Sequence, residues 1–297
     1  MIAHSPHRTV CRAHAKINLG LLVTGKRGDG YHDIVTVFHR VALADRVTLE
    51  SSEGITVRSS DPAAPAGAKN ICHAAARLVA AELGTTRGVT VDLRKSIPVG
   101  AGLGGGSSDA AAVLLALPRF WGAELPPNLL GALALRLGSD VPYFLRRGSA
   151  LGTGRGESLE YFTLDIPFAI LLCTPRVSVS SAWAYSRITP RMRPRTDLRA
   201  ILEAGFRDPS LLARELVNDF EEPVFREYPL IGSIKETLVA AGALFASLSG
   251  SGSSVYAFFR STAEAAAAQA ALPGTDCLTS VTPPHWNDAG AGEEEEP

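Results

Sequence analysis

The sequence predicts an α+β protein of two domains, and three observations carry that reading. The 297 residues, 46% hydrophobic and 20% charged, suffice to bury more than one core. The first half alternates strand-like stretches with helical ones around a glycine-crowded loop at 98–109. Around Thr163 to Pro167 the pattern restarts with a buried apolar run at 168–173. From there the order is strand, helices, strand, strand, helix, strand, which suggests a ferredoxin-like α+β sandwich. The expected division is an N-terminal domain at 1–163, a C-terminal domain at 164–286 and an acidic, disordered tail at 287–297.

Residues 9–23 alternate strictly and read as a strand. Ala13, Ala15, Ile17, Leu19 and Leu21 share one face; His14, Lys16, Asn18 and Gly20 share the other, turned to solvent or to a cleft. Arg27-Gly-Asp-Gly-Tyr-His is a turn that presents Tyr31 and His32. Strands follow at 34–41, 46–51 and 55–59, the last two joined by Glu53-Gly54, and then a Pro/Ala/Gly-rich loop. Asn70 is placed to cap a helix reaching Leu83, and 89–93 is a strand from which Lys95 leads into the glycine loop.

That loop reads Pro-Val-Gly-Ala-Gly-Leu-Gly-Gly-Gly-Ser-Ser-Asp. Ser107, Ser108 and Asp109 are good cap residues, and the Ala/Leu run after them propagates a helix to about Leu117-Pro118. Five glycines feeding a helix N-terminus make an anion site, most naturally for phosphate. Two better-known phosphate motifs fail here. Gly100, Gly102 and Gly105 fit the dinucleotide spacing, but Pro98 interrupts the strand that should precede it. Gly20 to Lys26 resembles a P-loop, but Arg27 stands where Ser or Thr is required.

A third helix at 128–137 leads into Gly-Ser-Asp140-Val-Pro-Tyr-Phe, a turn before a strand at 143–151; a short strand follows at 159–162. Residues 174–185 are loop-like, and 190–196 form a Pro/Arg-rich loop. Helices are expected at 197–204, 210–222 and 228–241, strands at 244–248 and 255–259, a Ser/Gly loop at 249–254, a helix at 262–272 and a strand at 277–281.

Net charge −1 gives no argument for nucleic acid or membrane binding. Cys11, Cys72, Cys173 and Cys277 lie far apart without metal-ligand spacing, so no metal site or disulfide framework is expected and the thiols read as reduced. With no apolar targeting segment at the N-terminus, the expected location is cytoplasmic.

Three signatures stand in order: Ala-Lys-Ile-Asn-Leu-Gly-Leu with Gly-Tyr-His, the loop from Pro98 to Asp109, and Leu-Ser-Gly-Ser-Gly-Ser-Ser-Val. Together they resemble the GHMP superfamily of small-molecule kinases. Asp-Gly-Tyr-His and Gly-Ser-Asp-Val-Pro-Tyr-Phe resemble, within it, the 4-diphosphocytidyl-2-C-methyl-D-erythritol kinase family, and the likeness runs from about Ala13 to Val281. The resemblance implies an N-terminal domain like domain 2 of ribosomal protein S5, a ferredoxin-like C-terminal domain and an active site between them. It implies ATP, as its Mg²⁺ complex, and transfer to the 2-hydroxyl of a cytidine diphosphate substrate of the non-mevalonate isoprenoid pathway. It makes Lys16 catalytic and Asp140 the base, and gives Asn18 to the substrate. Pro98, Val99, Gly100, Ala101, Gly102, Leu103, Gly104, Gly105, Gly106, Ser107 and Ser108 would hold the ATP phosphates, with Asn70 and Lys95 on the adenine side. Tyr31, His32 and Tyr185 would form the cytosine pocket. Ser181 stands where the family has Thr, and no proline is near, so Trp183 is expected to share the stacking with Tyr185. The expected assembly is a monomer or weak homodimer.

Two other functions compete. A mevalonate- or homoserine-type kinase would have no base for Tyr31 and His32 to stack. A non-catalytic ATP sensor would have no need of both Lys16 and Asp140.

Overall fold

The computed structural model describes residues 8–190, 196–272 and 276–288. Most of the Pro/Arg-rich loop and of the acidic tail lie outside these residues. Two long strands, β1 (Arg8–Lys26) and β2 (His32–Ser52), pair antiparallel from Arg8↔Glu50 to Lys26↔His32. On the other edge of β2, β5 (Ser149–Thr153) pairs with Thr36–Phe38, and β4 (Gly88–Arg94) pairs with Arg46–Ser52. β3 (Ile55–Ser59) runs parallel to β4, and β6 (Ser158–Phe162) flanks β5. Helices α1 (Ile71–Leu83), α2 (Gly105–Phe120) and α3 (Pro127–Leu137) bury Val79, Val113, Leu114, Leu117 and Leu133 with Val47, Leu49, Val91 and Leu93 of the sheet.

The second sheet joins β7 (Ala169–Pro175), β8 (Phe245–Leu248), β9 (Val255–Phe259) and β10 (Cys277–Thr282) in the order β10-β7-β9-β8, all antiparallel. Between β7 and β8 come α4 (Ser181–Ser186), α5 (Leu198–Gly205), α6 (Pro209–Glu215), α7 (Glu221–Glu227) and α8 (Pro229–Ala240); α9 (Thr262–Ala271) joins β9 to β10. The first strand central, with the last beside it, is the ferredoxin-like order. Side chains alternate across this sheet. Ile170, Leu172, Tyr256 and Phe258 meet Ala15, Ile17 and Leu19 of β1, while Leu171, Val255 and Phe259 meet Val224, Ile231 and Leu238.

Several elements differ from the sequence reading. The strands expected at 34–41 and 46–51 are one strand, because β1 pairs with β2 along its whole length. Register shifts between His14 and Lys16, Leu19 and Leu21, and Val23 and Gly25 bend the ribbon and re-aim its side chains. Of the face expected to turn to solvent or to a cleft, Lys16 and Asn18 line a cleft from buried positions, while His14 is buried away from it. β3 does not form a hairpin with β2, since β4 takes that edge. The strand expected from Tyr143 begins only at Ser149. Pro142 lacks an N–H, and 141–145 coil instead into a 3₁₀ turn. Ser180 caps a short helix, α4, inside the expected loop. The helix expected at 210–222 breaks, because Leu21 and Asp219 exchange backbone bonds with Val217 and Leu21 there.

Candidate active site

The three signatures meet at one point. The Lys16 backbone N–H donates to Leu103 O at 3.0 Å, which ties β1 to the glycine loop. The Lys16 ammonium donates to Gly102 O at 3.1 Å and to Asn18 Oδ1 at 2.7 Å. Asn18 Nδ2 donates in turn to Thr36 Oγ1 at 2.9 Å, which fixes the amide. Ser249 Oγ donates to Gly102 O at 3.1 Å, and Ser254 N–H donates to Ala101 O at 3.2 Å, so the Ser/Gly loop of the second sheet closes onto the glycine loop. A Cβ on Gly102 would stand 2.2 Å from Ser249 O, and its φ is +76°. Only glycine permits this approach.

Lys16 is 4% exposed, and Asp140 Oδ2 stands 3.6 Å from its ammonium, with the Asp140 side chain 37% exposed. Burial lowers the Lys16 pKa, and the neighbouring Asp140 opposes that shift. The pair lies in a cleft of about 1020 Å³ that runs between the glycine loop and the His32 turn.

At the loop, the helix start differs from expectation. Gly104, at φ +70°, is the N-cap, so α2 begins at Gly105 and the serines fall in its first turn. The first-turn N–H groups precede the Ser108 N–H bond to Gly104 O and face the start of the helix, as an anion cradle requires. Pro98 through Ser107 line the cleft. Ser108 does not, because its hydroxyl donates inward to His14 O at 2.7 Å. Gly104 and Gly105 also have packing roles, since added Cβ atoms would meet Phe144 at 3.0 Å and Ile97 at 2.9 Å.

Asn70 caps α1, with its Oδ1 accepting from Cys72 N–H at 2.9 Å, and it lines the cleft. Lys95 lines the cleft too, but its ammonium is held by Asp45 and, at 2.6 Å, by Asp109. Burial alone would lower the Lys95 pKa; the two carboxylates outweigh it and raise the pKa. Asp45 Oδ1 also accepts from Ser96 N–H at 2.6 Å and Ile97 N–H at 2.8 Å, so this triad anchors the entry to the glycine loop.

At the far end, the His32 ring stacks on Tyr185, with centroids 5.1 Å apart and planes 20° apart. Burial, then the charge of Lys26, lowers the His32 pKa, so the neutral ring has one donor and one acceptor edge. Tyr185 rests edge-on against Phe220, and Tyr31 is 55% exposed with the Arg155 guanidinium 4.5 Å from its ring centroid. Ser181 Oγ and Ser251 Oγ are 3.0 Å apart. Trp183 does not line the cleft; it packs edge-on against Tyr228 instead of beside Tyr185. Phe38, Lys26, Ser139, Arg155, Gly250 and Ser251 also line the cleft and escaped the sequence reading as site residues. Arg155 sits in the second glycine loop at 152–156, and Gly250 and Ser251 in the third signature, so position near a motif was the available signal.

Among the described residues no group of three His, Cys, Asp or Glu is arranged to hold a metal ion, and no helix is long and apolar enough to cross a membrane.

The family model of the GHMP kinases N terminal domain matches residues 70–148, and that of the GHMP kinases C terminal matches residues 198–275. A 4-diphosphocytidyl-2-C-methyl-D-erythritol kinase of Chlorobium limicola is 43% identical over 282 residues, which is 93% of this chain and 97% of that protein. The chain belongs to the GHMP kinases, in their 4-diphosphocytidyl-2-C-methyl-D-erythritol kinase family. A kinase of the same name from Salinibacter ruber is 40% identical over 91% of this GHMP kinase and 97% of its own length. A crystal structure of 4-(cytidine 5'-diphospho)-2C-methyl-D-erythritol kinase superposes with a TM-score of 0.77 at 35% identity, covering 92% of this chain and 99% of its own. Homoserine kinase from Cytophaga hutchinsonii superposes with a TM-score of 0.75 at 21% identity, over 99% of each chain, which shows a common fold. This GHMP kinase thus has the two-domain, mixed α/β fold of its family, whose members use ATP.

Proposed function

We propose that this kinase transfers the γ-phosphoryl group of ATP to the 2-hydroxyl of 4-diphosphocytidyl-2-C-methyl-D-erythritol. The observation that carries the reading is a single cleft holding the Lys16–Asp140 pair beside a glycine-lined helix start, with the stacked His32–Tyr185 pair at its other end. The names of the relatives support the same substrate.

When bound, ATP supplies the phosphoryl group and Mg²⁺ neutralises part of its charge. The first-turn N–H groups of α2 and its dipole receive the phosphates, and the cleft-facing Ser107 hydroxyl is placed to hold the ion with them. Lys16 brings a buried cation to the transferred group. Asp140 takes the proton of the attacking hydroxyl, and its exposed carboxylate can reach a bound acceptor. Asn18, fixed by Thr36, orients the acceptor. The neutral edge of His32 reads the base, while Tyr185 and the Arg155-backed Tyr31 cover its faces. Asn70 lines the adenine side; Lys95 acts there from beneath, by holding the loop. We place the boundary between the domains at 163/164, between β6 and β7, and the location in the cytoplasm.

The test offers the purified protein ATP with the cytidine acceptor, its uridine counterpart, mevalonate or homoserine. Phosphorus NMR should show a new phosphate monoester on the 2-hydroxyl of the cytidine acceptor alone. Transfer to mevalonate or homoserine overturns the reading. His32→Ala should raise KM for the cytidine acceptor roughly tenfold while leaving KM for ATP unchanged, because a buried base edge loses its partner.

A further inference from the structure

The chain after β10 runs back across the N-terminal sheet. Ala42 N–H donates to Thr282 Oγ1 at 2.9 Å, and His285 N–H donates to Ile166 O at 2.9 Å. The Trp286 ring lies 5.2 Å from the His14 ring, centroid to centroid. These contacts with β2, the link before β7 and β1 deliver Asp288 to Arg40 of β2, 248 positions earlier in the chain. Arg40 Nη1 donates to the Asp288 carboxylate at 2.5 Å, and the two side chains are 13% and 9% exposed.

The other arm of the same guanidinium reaches the catalytic side of the sheet. Arg40 Nη2 donates to Phe144 O at 2.8 Å and to Arg146 O at 2.7 Å, and the group lies 5.8 Å from the ring centroids of both Tyr143 and Phe144. Arg40 therefore grips the far end of the 3₁₀ turn at 141–145, whose N-cap is Asp140. The turn is wedged from its other side by the glycine loop. A Cβ on Gly104 would stand 3.0 Å from Phe144 Cζ and 3.2 Å from Lys16 Cε, so Phe144 and Lys16 close on the same glycine. Lys16 is also the residue that pairs with Arg40 in the β1–β2 register. Asp140 Oδ2, 3.6 Å from the Lys16 ammonium, is beyond a normal hydrogen bond, so the backbone of its turn sets where that carboxylate stands.

We propose that Asp288 is a positioning residue for phosphoryl transfer: through Arg40 it fixes the 141–145 turn and so holds Asp140 in register with Lys16. The proposal rests on the reading of Asp140 as proton acceptor. A guanidinium this buried is costly without a carboxylate beside it. Asp288 supplies that charge on Nη1 and leaves Nη2 for the two carbonyls. Without it the cation is drawn toward water, the carbonyls of Phe144 and Arg146 lose their donor, and the turn that carries Asp140 loosens.

The test measures kcat and both KM values for the full chain with ATP and 4-diphosphocytidyl-2-C-methyl-D-erythritol, at a temperature where melts show each variant folded. Asp288→Asn should lower kcat roughly ten- to a hundredfold, with KM for ATP and for the acceptor unchanged, as a misplaced catalytic group does. Arg40→Lys keeps a cation for Asp288 but lacks the fork that spans two carbonyls, so it should show the same loss at a smaller cost in melting temperature. In an Asp140→Asn background Asp288→Asn should cost nothing further, because the carboxylate it positions is already gone. Wild-type kcat in Asp288→Asn or in Arg40→Lys, beside a slow Asp140→Asn, overturns this proposal and leaves the base in place. An equal loss in the Asp140→Asn background also overturns it, since Asp288 would then act on something other than Asp140. Wild-type kcat in Asp140→Asn itself would remove the base, and this role of Asp288 with it.

Discussion

At the scale of single residues, Asp140 and Lys16 differ in exposure in the way the proposed transfer requires. The ammonium is buried and hydrogen-bonded to Gly102 O and Asn18, so it is positioned but cannot move; the carboxylate is open to the cleft. Asp140→Asn keeps the shape and removes the carboxylate that the proposed mechanism uses as proton acceptor. The expected outcome is a kcat lower by ~10²–10⁴ with nucleotide Kd nearly unchanged. A kcat near that of the wild type would take Asp140 out of the mechanism. A second residue sets an acid limit on stability. His39 is buried with its Nδ1 2.8 Å from Ser149 Oγ, and burial drops its pKa from 6.5 to about 4. In the unfolded chain its ring takes up a proton near pH 6.5, while in the fold it stays neutral to about pH 4. Its contribution is therefore intact above pH 6.5 and is lost as pH falls toward 4, by roughly 3 kcal/mol in all. Urea unfolding at pH 7.5 and 4.5 should show a steeper loss for wild type than for His39→Gln. Equal losses would mean that His39 is protonated in the fold. That Lys16 and Asp140 would come together in one cleft was legible because each sits inside a short motif. The place of Asp45 was not: it is a lone acid in a long strand, and its partners Lys95 and Asp109 lie 50 and 64 positions away.

At the scale of elements, the glycine loop has two jobs that its sequence does not separate. Gly102 lets the two halves of the site touch, whereas Gly106 has only Ile71 Cγ2 near it, at 3.8 Å, and lies exposed on the cleft. Gly102→Ala should destabilise the protein, with ~1–3 kcal/mol from its left-handed backbone alone and more from the collision with Ser249 O. Gly106→Ala should hold or raise the melting temperature, because alanine favours the helix by ~0.5–1 kcal/mol. It should nevertheless weaken ATP, since the new methyl group would stand in the phosphate approach that the proposed reading gives this loop. Melts and nucleotide titrations on both variants check this, and unchanged ATP affinity in Gly106→Ala would mean that the phosphates lie elsewhere. The loop, α1 and the order of the second sheet were legible because caps, glycines and period-2 runs are local signals. The continuity of β2, the parallel pairing of β3 with β4 and the break after α6 were not. Each is decided by a partner strand far away in sequence, as when Leu21 claims the backbone of 217–219.

At the scale of the whole molecule, β1 belongs to both halves. Ala13 packs with α1 and α2; Ala15, Ile17 and Leu19 pack with Ile170, Leu172 and Phe258; Leu21 and Val23 pack with Phe220 and Phe259. The second half also clasps the strand directly. Leu21 N–H donates to Val217 O at 2.9 Å, Asp219 N–H donates to Leu21 O at 2.9 Å, and Val23 N–H donates to Asp219 Oδ2 at 2.8 Å. Removing either half would expose apolar side chains of the shared cluster and orphan these backbone groups, each a cost the remaining half has no means to offset. The two sheets should therefore melt together. Scanning calorimetry is expected to give one transition whose calorimetric and van't Hoff enthalpies agree, and a fragment ending at residue 163 should fail to fold. If ATP binds in the cleft as proposed, it touches only the folded state, so at a hundredfold excess over its Kd it should move that single transition upward, in proportion to ~2.7 kcal/mol of added stability. Two resolved transitions, with ATP shifting only one, would show that the strand shared by both cores does not couple them.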